Sequence, residues 1–371
     1  MIIIMISTHG LDIDPRIYNE SMTLIASGHQ IQVICWDREN RAHDVDTAEI
    51  DGIQIKRIFV KSTYGTGFRQ AFSFIRFIQE AKKYLVDKDF DVIHGHDLDG
   101  AFIGTFLRKE KKLVWDMREL FDGMNYGIIK ASIYNCFAWW CFRNIDGLIT
   151  VIDYQLERYA AKIKKKILCE TILNTPERRI FQNFQRHESS DLRISYIGSV
   201  RHFNEMKLLM DSAQDLDQVK IKIHGSGPQL ENVISIGHHY TNVEITGQFH
   251  YKNTKNLYEE TDLLYVVYDK HVENQKHGIP IKGYEALYTQ TPVIAGAGTY
   301  FADFVKKHDI GFVIAGDDLD ELRDIILNVK NNRSLLKEKE KNIEKIQDAY
   351  VWENQAQKLS TFYSLLWNKG G

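Results

Sequence analysis

Residues 193–228, RISYIGSVRHFNEMKLLMDSAQDLDQVKIKIHGSGP, hold one complete strand, helix, strand unit. RISYIGS and VKIKI are short apolar runs of the kind a buried parallel strand needs, and a helix is predicted across 205 to 215 between them. NVEITG, LLYVVY, PVIAG and GFVIAG continue the alternation downstream. The same rhythm fills the first half: MIIIMIS, a helix across 17 to 28, IQVICW, GIQIKRIFV, a helix near 68 to 86, DVIHGH, a further helix, KLVWD, and LITVI closing the set at 148–152. Strands and helices that alternate in this way form parallel sheets covered on both faces, and the restart after the polar stretch 182–192 makes two of them. The predicted fold is α/β with two doubly wound domains facing a cleft. The boundaries are 1–170 for the first domain, 171–192 for a linker, 193–348 for the second domain, and 349–371 for a C-terminal helix packing back on the first.

Composition agrees with two cores and excludes some function classes. A chain of 371 residues is too long for one ordinary core. A net charge of −3 supplies no general basic field, so nucleic acid is not expected as a partner. Cys35, Cys136, Cys141 and Cys169 form no CxxC pair, which points to a reducing, cytoplasmic setting. MIIIMI lacks a basic leader and runs straight into STHG as a first strand does.

In open parallel sheets ligands bind beyond the carboxyl ends of the strands, so the loops there carry the candidate chemistry. After the first strand, Gly10 lets backbone approach a ligand closely and Arg16 offers a cation to an anion, both read as acceptor-binding. HGHDLDG at 94–100 and DMREL at 116–120 place charged clusters at two further strand ends of one domain, which fits an acceptor pocket including His96, Asp97 and Glu119. His94, His96, Asp97 and Asp99 are metal-compatible, but no third ligand of defined spacing follows, so no metal is expected; helix capping is the plainer role for Asp97. In the second half, Gly198 clears space beside Arg201, whose fork suits a pyrophosphate. Gly225 and Gly227 in HGSGP either cradle a phosphate or make a tight turn.

HGIPIKGYEALYTQTPVIAGAG, residues 277–298, brings a lone carboxylate, Glu285, into an apolar helix. Glu285 is either a first-turn acid at the surface, stabilised by the helix dipole, or an acceptor for sugar hydroxyls. GIIKASIYNCFAWWCFRN at 127–144 is apolar nearly all round and reads as a buried helix, with a helix dipping into a membrane surface as the rival.

Eight segments in order, DPRIYNESMTLIASGHQIQVI, FDVIHGHD, RNIDGLITVIDYQLERY, TILNTP, ISYIGSV, IKIHGSGP, NVEITGQ and PIKGYEALYTQTPVIAG, cover almost the whole chain. They resemble the large family of retaining two-Rossmann-domain (GT-B) glycosyltransferases that includes bacterial mannosyl- and N-acetylglucosaminyltransferases. The resemblance implies metal-free transfer of a sugar, with retention, from a nucleotide-sugar (UDP-sugar first, GDP-sugar second) to an acceptor hydroxyl, with no cofactor. It implies that Glu285 binds the donor ribose, that Lys282, Arg201 and Arg118 share the pyrophosphate, and that Lys207 lies further along on the donor side. Where the family has a second Glu, this chain has His277, with Glu273 the nearest acid upstream; where it has D-x-H-E, this chain has Arg118 in place of the His. Arg118, His277 and Glu273 are therefore the candidates for the reacting centre. A carbohydrate or lipid-linked acceptor, and peripheral contact with the inner membrane face during polysaccharide, cell-wall polymer or glycolipid assembly, are the family-level expectations. The alternatives are a nucleotide-sugar epimerase of the same architecture and a non-catalytic binding subunit.

Overall fold

A computed structural model of the chain describes residues 1–8, 14–40, 45–62, 68–122, 128–163 and 166–368. The chain divides into two units, Met1–Asn174 with Glu353–Gly371, and Thr175–Trp352.

The first unit is built on β1 (Ile2–Ser7), α1 (Pro15–Ala26), β2 (Gln30–Asp37), β3 (Thr47–Ile50), β4 (Ile53–Phe59), α2 (Phe68–Leu85), β5 (Val92–His96), α3 (Asp97–Leu107), β6 (Lys112–Met117), α4 (Ile128–Asn144), β7 (Gly147–Thr150), α5 (Asp153–Tyr159) and β8 (Leu168–Thr171). Its sheet runs β3-β4-β2-β1-β5-β6-β7-β8. IIIMIS of β1 lies between β2 and β5 and is buried along nearly its whole length, which is why the run has no polar alternation. All pairs are parallel except β3 with β4, an edge hairpin turned at Asp51 and Gly52, both at positive φ. The sheet does not close at residues 148–152 as expected, because β8 pairs onto β7 through Leu148 and Cys169. Chain order reverses between β1 and β5, so their carboxyl ends make the crevice where such a sheet binds ligands.

The second unit comprises β9 (Leu192–Ile197), α6 (Phe203–Ser212), β10 (Val219–His224), α7 (Leu230–Gly237), β11 (Val243–Gly247), α8 (Thr254–Glu259), β12 (Leu263–Val266), α9 (Glu273–Lys276), α10 (Ile281–Tyr288), β13 (Val293–Gly296), α11 (Tyr300–His308), β14 (Gly311–Ile314), α12 (Leu319–Asn331) and α13 (Ser334–Ile346). Its sheet, β11-β10-β9-β12-β13-β14, is wholly parallel and reverses between β9 and β12.

Residues 175–192, expected as linker, are part of this second unit. Phe181 is buried, stacks on Tyr288 at 5.7 Å and meets Tyr258 edge-on, while Arg186 donates to the carbonyls of Thr289 and Gln290. The last helix, α14 (Trp352–Asn368), lies in the first unit from Glu353 onward. Leu359, Phe362, Tyr363 and Leu366 form its buried stripe, and the Tyr363 hydroxyl is 2.7 Å from His94 Nδ1 on β5. Phe362 fits against Gly147 because a Cβ there would stand 2.7 Å from its ring.

Candidate active site

At the strand ends of the first unit, two arginines organise four acids and two histidines. Arg16, in the first turn of α1, is 2 % exposed. Its Nε and Nη2 donate to the two carboxylate oxygens of Asp116 on β6 at 2.9 and 2.8 Å, and Nη1 donates to the Ile172 carbonyl at 3.1 Å. Glu20, one turn on, approaches the same Nε at 3.0 Å without a hydrogen bond, since the single Nε proton already points to Asp116. Burial, then the Asp116 charge, push the Glu20 carboxyl up to about 8 against the pull of Arg16. Asp116 stays well below the usual carboxylate range, because Arg16 and the His96 hydrogen bond outweigh its own burial. His96 Nδ1 is 3.1 Å from Asp116, His94 stacks on His96 at 4.5 Å, and His94 is held neutral by burial and by its neighbour.

This arrangement corrects the reading of Arg16 as an acceptor-binding cation: it is the buried centre of an ion-pair network joining α1, β6 and the segment after β8. It also changes the ligand-type cluster. The groups that converge are Glu20, His94, His96 and Asp116, not Asp97 and Asp99, and the Arg16 guanidinium stands against both of their carboxylates.

Arg118 sits one layer further out. Its Nε lies 3.1 Å from both oxygens of Asp97, Nη2 also donates to Asp97, and Nη1 donates to Asp14 at 2.5 Å. Burial alone would lower its pKa, but Asp97 and Asp14 raise it, so the guanidinium is firmly charged. Asp14 caps α1 through Arg16 N–H, and Asp97 adopts φ +58, a strained conformation for a non-glycine residue. The turn that imposes it is tight: a Cβ on Gly95 would be 2.4 Å from Ala101 N, and one on Gly100 2.7 Å from Ile6 O. Asp97 thus opens α3 without capping it, and its carboxylate is spent on Arg118. Glu119 is exposed beside this pair, and Gly10 lies outside the described residues.

In the second unit, Lys282 and Glu285 come together on α10. Glu285 falls in the second turn and is 4 % exposed, which excludes the surface, first-turn acid. Tyr258 donates to its Oε2 at 3.0 Å and Tyr251 also bonds to it; burial raises the carboxyl above its ordinary value against these two bonds. Lys282 points to the end of β9. Its ammonium lies 3.6 Å above the Tyr196 ring and 5.6 Å from Tyr268, and a Cβ on Gly198 would be 3.0 Å from it. Lys282 Nζ has no hydrogen-bond partner, and burial brings its pKa down to about 7 although Glu285 opposes this.

The glycines serve backbone approach. Gly225, at φ +141, packs so that a Cβ would stand 1.7 Å from Gly198 O, and a Cβ on Gly227 would stand 2.4 Å from Val200 O. The N–H groups of Gly225, Gly198 and Val200 are bonded to Gly247, His224 and Ser226, so HGSGP is a tight turn locked onto the β9 loop, and its Gly225 N–H is not offered to a phosphate. Arg201 is exposed, with Nε 3.1 Å from Ser199 Oγ, and Lys207 pairs with Asp211 one turn along α6. A cavity of about 570 Å³ opens between α6 and the ends of β12, β13 and β14, lined among others by Lys207, Tyr268, Lys270 and Gly316. His277 and Glu273 pair at 3.2 Å across α9. Sequence reading missed Asp14, Glu20 and the tyrosines 196, 251, 258 and 268. Only Asp14 carried a local signal, an Asp-Pro pair opening a helix.

Residues 177–347 match the family model described as glycosyl transferases group 1. A comparison with curated proteins finds no match. Among solved structures, sucrose-phosphate synthase from Thermosynechococcus elongatus superposes over 99 % of each chain with TM-score 0.81 at 16 % identity. Anabaena HepE in complex with UDP and glucose covers 98 % of this chain and 99 % of its own, with TM-score 0.72 at 13 % identity. An S. aureus TarM variant in complex with fondaparinux, alpha-GlcNAc-glycerol and UDP covers 98 % and 99 %, with TM-score 0.70 at 12 % identity. Residues 177–347 thus resemble the glycosyl transferases group 1 family, in a chain with the fold of the GT-B glycosyltransferases.

Proposed function

We propose that the protein moves a sugar from a nucleotide-sugar donor to an acceptor hydroxyl, with retention and without a metal ion. The observation that carries this reading is the Lys282 ammonium, buried and without a hydrogen-bond partner beside Gly198, one helical turn from the buried carboxylate of Glu285. Such a pair suits a nucleoside diphosphate: Lys282 for phosphate oxygens, Glu285 for ribose hydroxyls. UDP-sugar is the first candidate, because related folds have been solved with UDP or UDP-glucose, and GDP-sugar is the second. In the step proposed, the bond from the sugar anomeric carbon to the phosphate oxygen breaks while the acceptor oxygen bonds to that carbon on the same face. The acceptor proton passes to the departing phosphate. Lys282 and Arg201 stabilise the charge that builds on this leaving group. His277 and Glu273 are assigned to the donor sugar, and Arg118, His96, Asp97 and Glu119 to the side of a carbohydrate or lipid-linked acceptor. Glycan or glycolipid assembly at the inner membrane face, with the protein bound peripherally, is the setting we assign.

Incubation with radiolabelled UDP-, GDP- and dTDP-sugars, with and without bacterial membranes as acceptor, tests the reading. Expected are transfer or slow donor hydrolysis, lost in Lys282→Ala. Epimer formation would make the protein an epimerase, tight binding without turnover would make it a binding subunit, and no binding of any donor would sink the proposal.

Lys282 also gives a pH prediction. The ligand-free ammonium titrates near 7, and a bound diphosphate favours its charged form. Binding therefore takes up close to one proton at about pH 8.5, and affinity falls as pH rises above about 7. Calorimetry in buffers of different ionisation enthalpy reads the proton number; a value near zero in the wild type, or one unchanged in Lys282→Met, contradicts the assignment.

A further inference from the structure

The helix layer α2–α3–α4 on one face of the first sheet is held together by aromatic side chains. Phe102 of α3 stacks on Phe137 of α4 at 3.9 Å and on Phe74 of α2 at 6.3 Å, and Trp140 Nε1 donates to Thr105 Oγ1 at 3.0 Å. These contacts do not exhaust the apolar surface. Phe72 is 73 % exposed and Ile75 52 % on α2, Phe106 46 % on α3, and Ile133 47 %, Trp139 50 % and Trp140 42 % on α4. The expectation of a buried α4 is corrected accordingly: Ala138, Cys141 and Phe142 face the core, while both tryptophans face outward. Phe102, the centre of the ladder, also meets the exposed Phe106 at 5.1 Å, which joins that outward ring to the same aromatic layer.

Positive charge adjoins this layer. Residues 128–144 of α4 contain Lys130 and Arg143 and no acid, and the Arg143 guanidinium lies 3.5 Å over the Trp139 ring. On the other side of α2 a groove of about 630 Å³ runs along β4, with Lys56, Arg57, Arg76 and Lys83 against two acids, Asp46 and Glu80. Arg57 Nε has no hydrogen-bond partner there, and Phe59 at the groove is 48 % exposed. Exposed Trp and Phe side chains interspersed with small polar residues, with cations beside them, match the interfacial zone of a bilayer, where rings sit at headgroup depth and Lys and Arg meet lipid phosphates. A protein partner large enough to bury this layer would also have to match the cationic groove.

We infer that the outer face of α2, α3 and α4, with the cationic groove beside α2, docks the protein on an anionic lipid bilayer. This names the surface behind the membrane contact proposed above and rests on that contact, not on the transfer chemistry. No described helix is long and apolar enough to cross a membrane, so the contact is one of lying on the surface.

The test uses the full chain and extruded phosphatidylcholine vesicles with or without about 30 % phosphatidylglycerol. Expected is co-sedimentation with the anionic vesicles, weakened by salt and little seen with phosphatidylcholine alone. Arg76→Glu/Lys83→Glu should weaken vesicle binding about 30-fold or more, and Trp139→Ser/Trp140→Ser about tenfold or more. Nucleotide affinity, measured on the same samples, should stay at the wild-type value, which separates failure of the surface from failure of the donor site. Absence of vesicle binding by the wild type overturns the inference. So does vesicle binding that survives both double substitutions, or a concentration-dependent dimer that the same substitutions dissociate, which would make a second copy the occupant.

Discussion

Arg16→Met is expected to destabilise the first unit by about 3–5 kcal/mol, the cost of leaving the buried Asp116 carboxylate without its paired counter-charge. Asp116 accepts two bonds from Arg16 in a fully buried site, and Glu20 touches the same guanidinium. Without Arg16 the Asp116 carboxylate loses its two-pronged guanidinium partner and keeps only the contact with His96, and Glu20 has only His94, held neutral, beside it. The Ile172 carbonyl also loses its donor, which loosens the segment after β8. Urea unfolding followed by tryptophan fluorescence suits the measurement, because Trp36 and Trp115 are buried in this unit. Arg16→Met/Asp116→Leu should regain part of the loss, because removing both charges leaves less to desolvate than removing one. A loss under about 1 kcal/mol in the single variant would mean that water reaches the network and that Arg16 is free to meet a ligand after all.

The two sheets were legible because their strands are short apolar runs separated by helices, and parallel strands buried on both faces need that pattern. β3 was not: TAEI is a largely exposed edge strand of four residues with no alternation, announced only by the Asp51-Gly52 turn after it. The half-exposed α4 was misread for the opposite reason. Its residues are apolar all round, so periodicity cannot say which side the core takes.

The site shows the same limit. Glu285 and Lys282 could be picked out as charges in an apolar helix, but their partners come from α8, β9 and the segment before α8, brought in by the fold. Tyr258 and Tyr251 carry no local mark that distinguishes them from the chain's other tyrosines. Arg16 and Arg118 looked alike as cations after strands, yet one is sealed inside the sheet edge and the other partly open. Burial separates them, and burial belongs to the tertiary structure.

That burial also sharpens the expectation for Glu285→Ala, which should weaken nucleoside diphosphate binding by roughly tenfold to several hundredfold. Two ribose hydroxyls bonded to an ionised carboxylate are worth roughly 1.5–3 kcal/mol each before non-additivity is allowed for. The carboxylate is already fixed by Tyr258 and Tyr251, so little freedom is lost when ligand hydroxyls join them. The variant should still fold, because the Tyr258 hydroxyl lies 3.1 Å from the Lys282 carbonyl and keeps an acceptor. A 2′-deoxy or 3′-deoxy nucleotide should lose affinity with the wild type and little more with the variant, since hydroxyl and carboxylate are the two ends of one interaction. Lys282→Ala should behave differently, weakening the diphosphate strongly and the nucleoside hardly at all. Calorimetric titration of the three proteins with UDP, deoxy-UDP and uridine reads all of these terms. Wild-type affinity for UDP in Glu285→Ala would remove the ribose from this carboxylate and leave Glu285 as the acceptor that holds Tyr258 and Tyr251 in place.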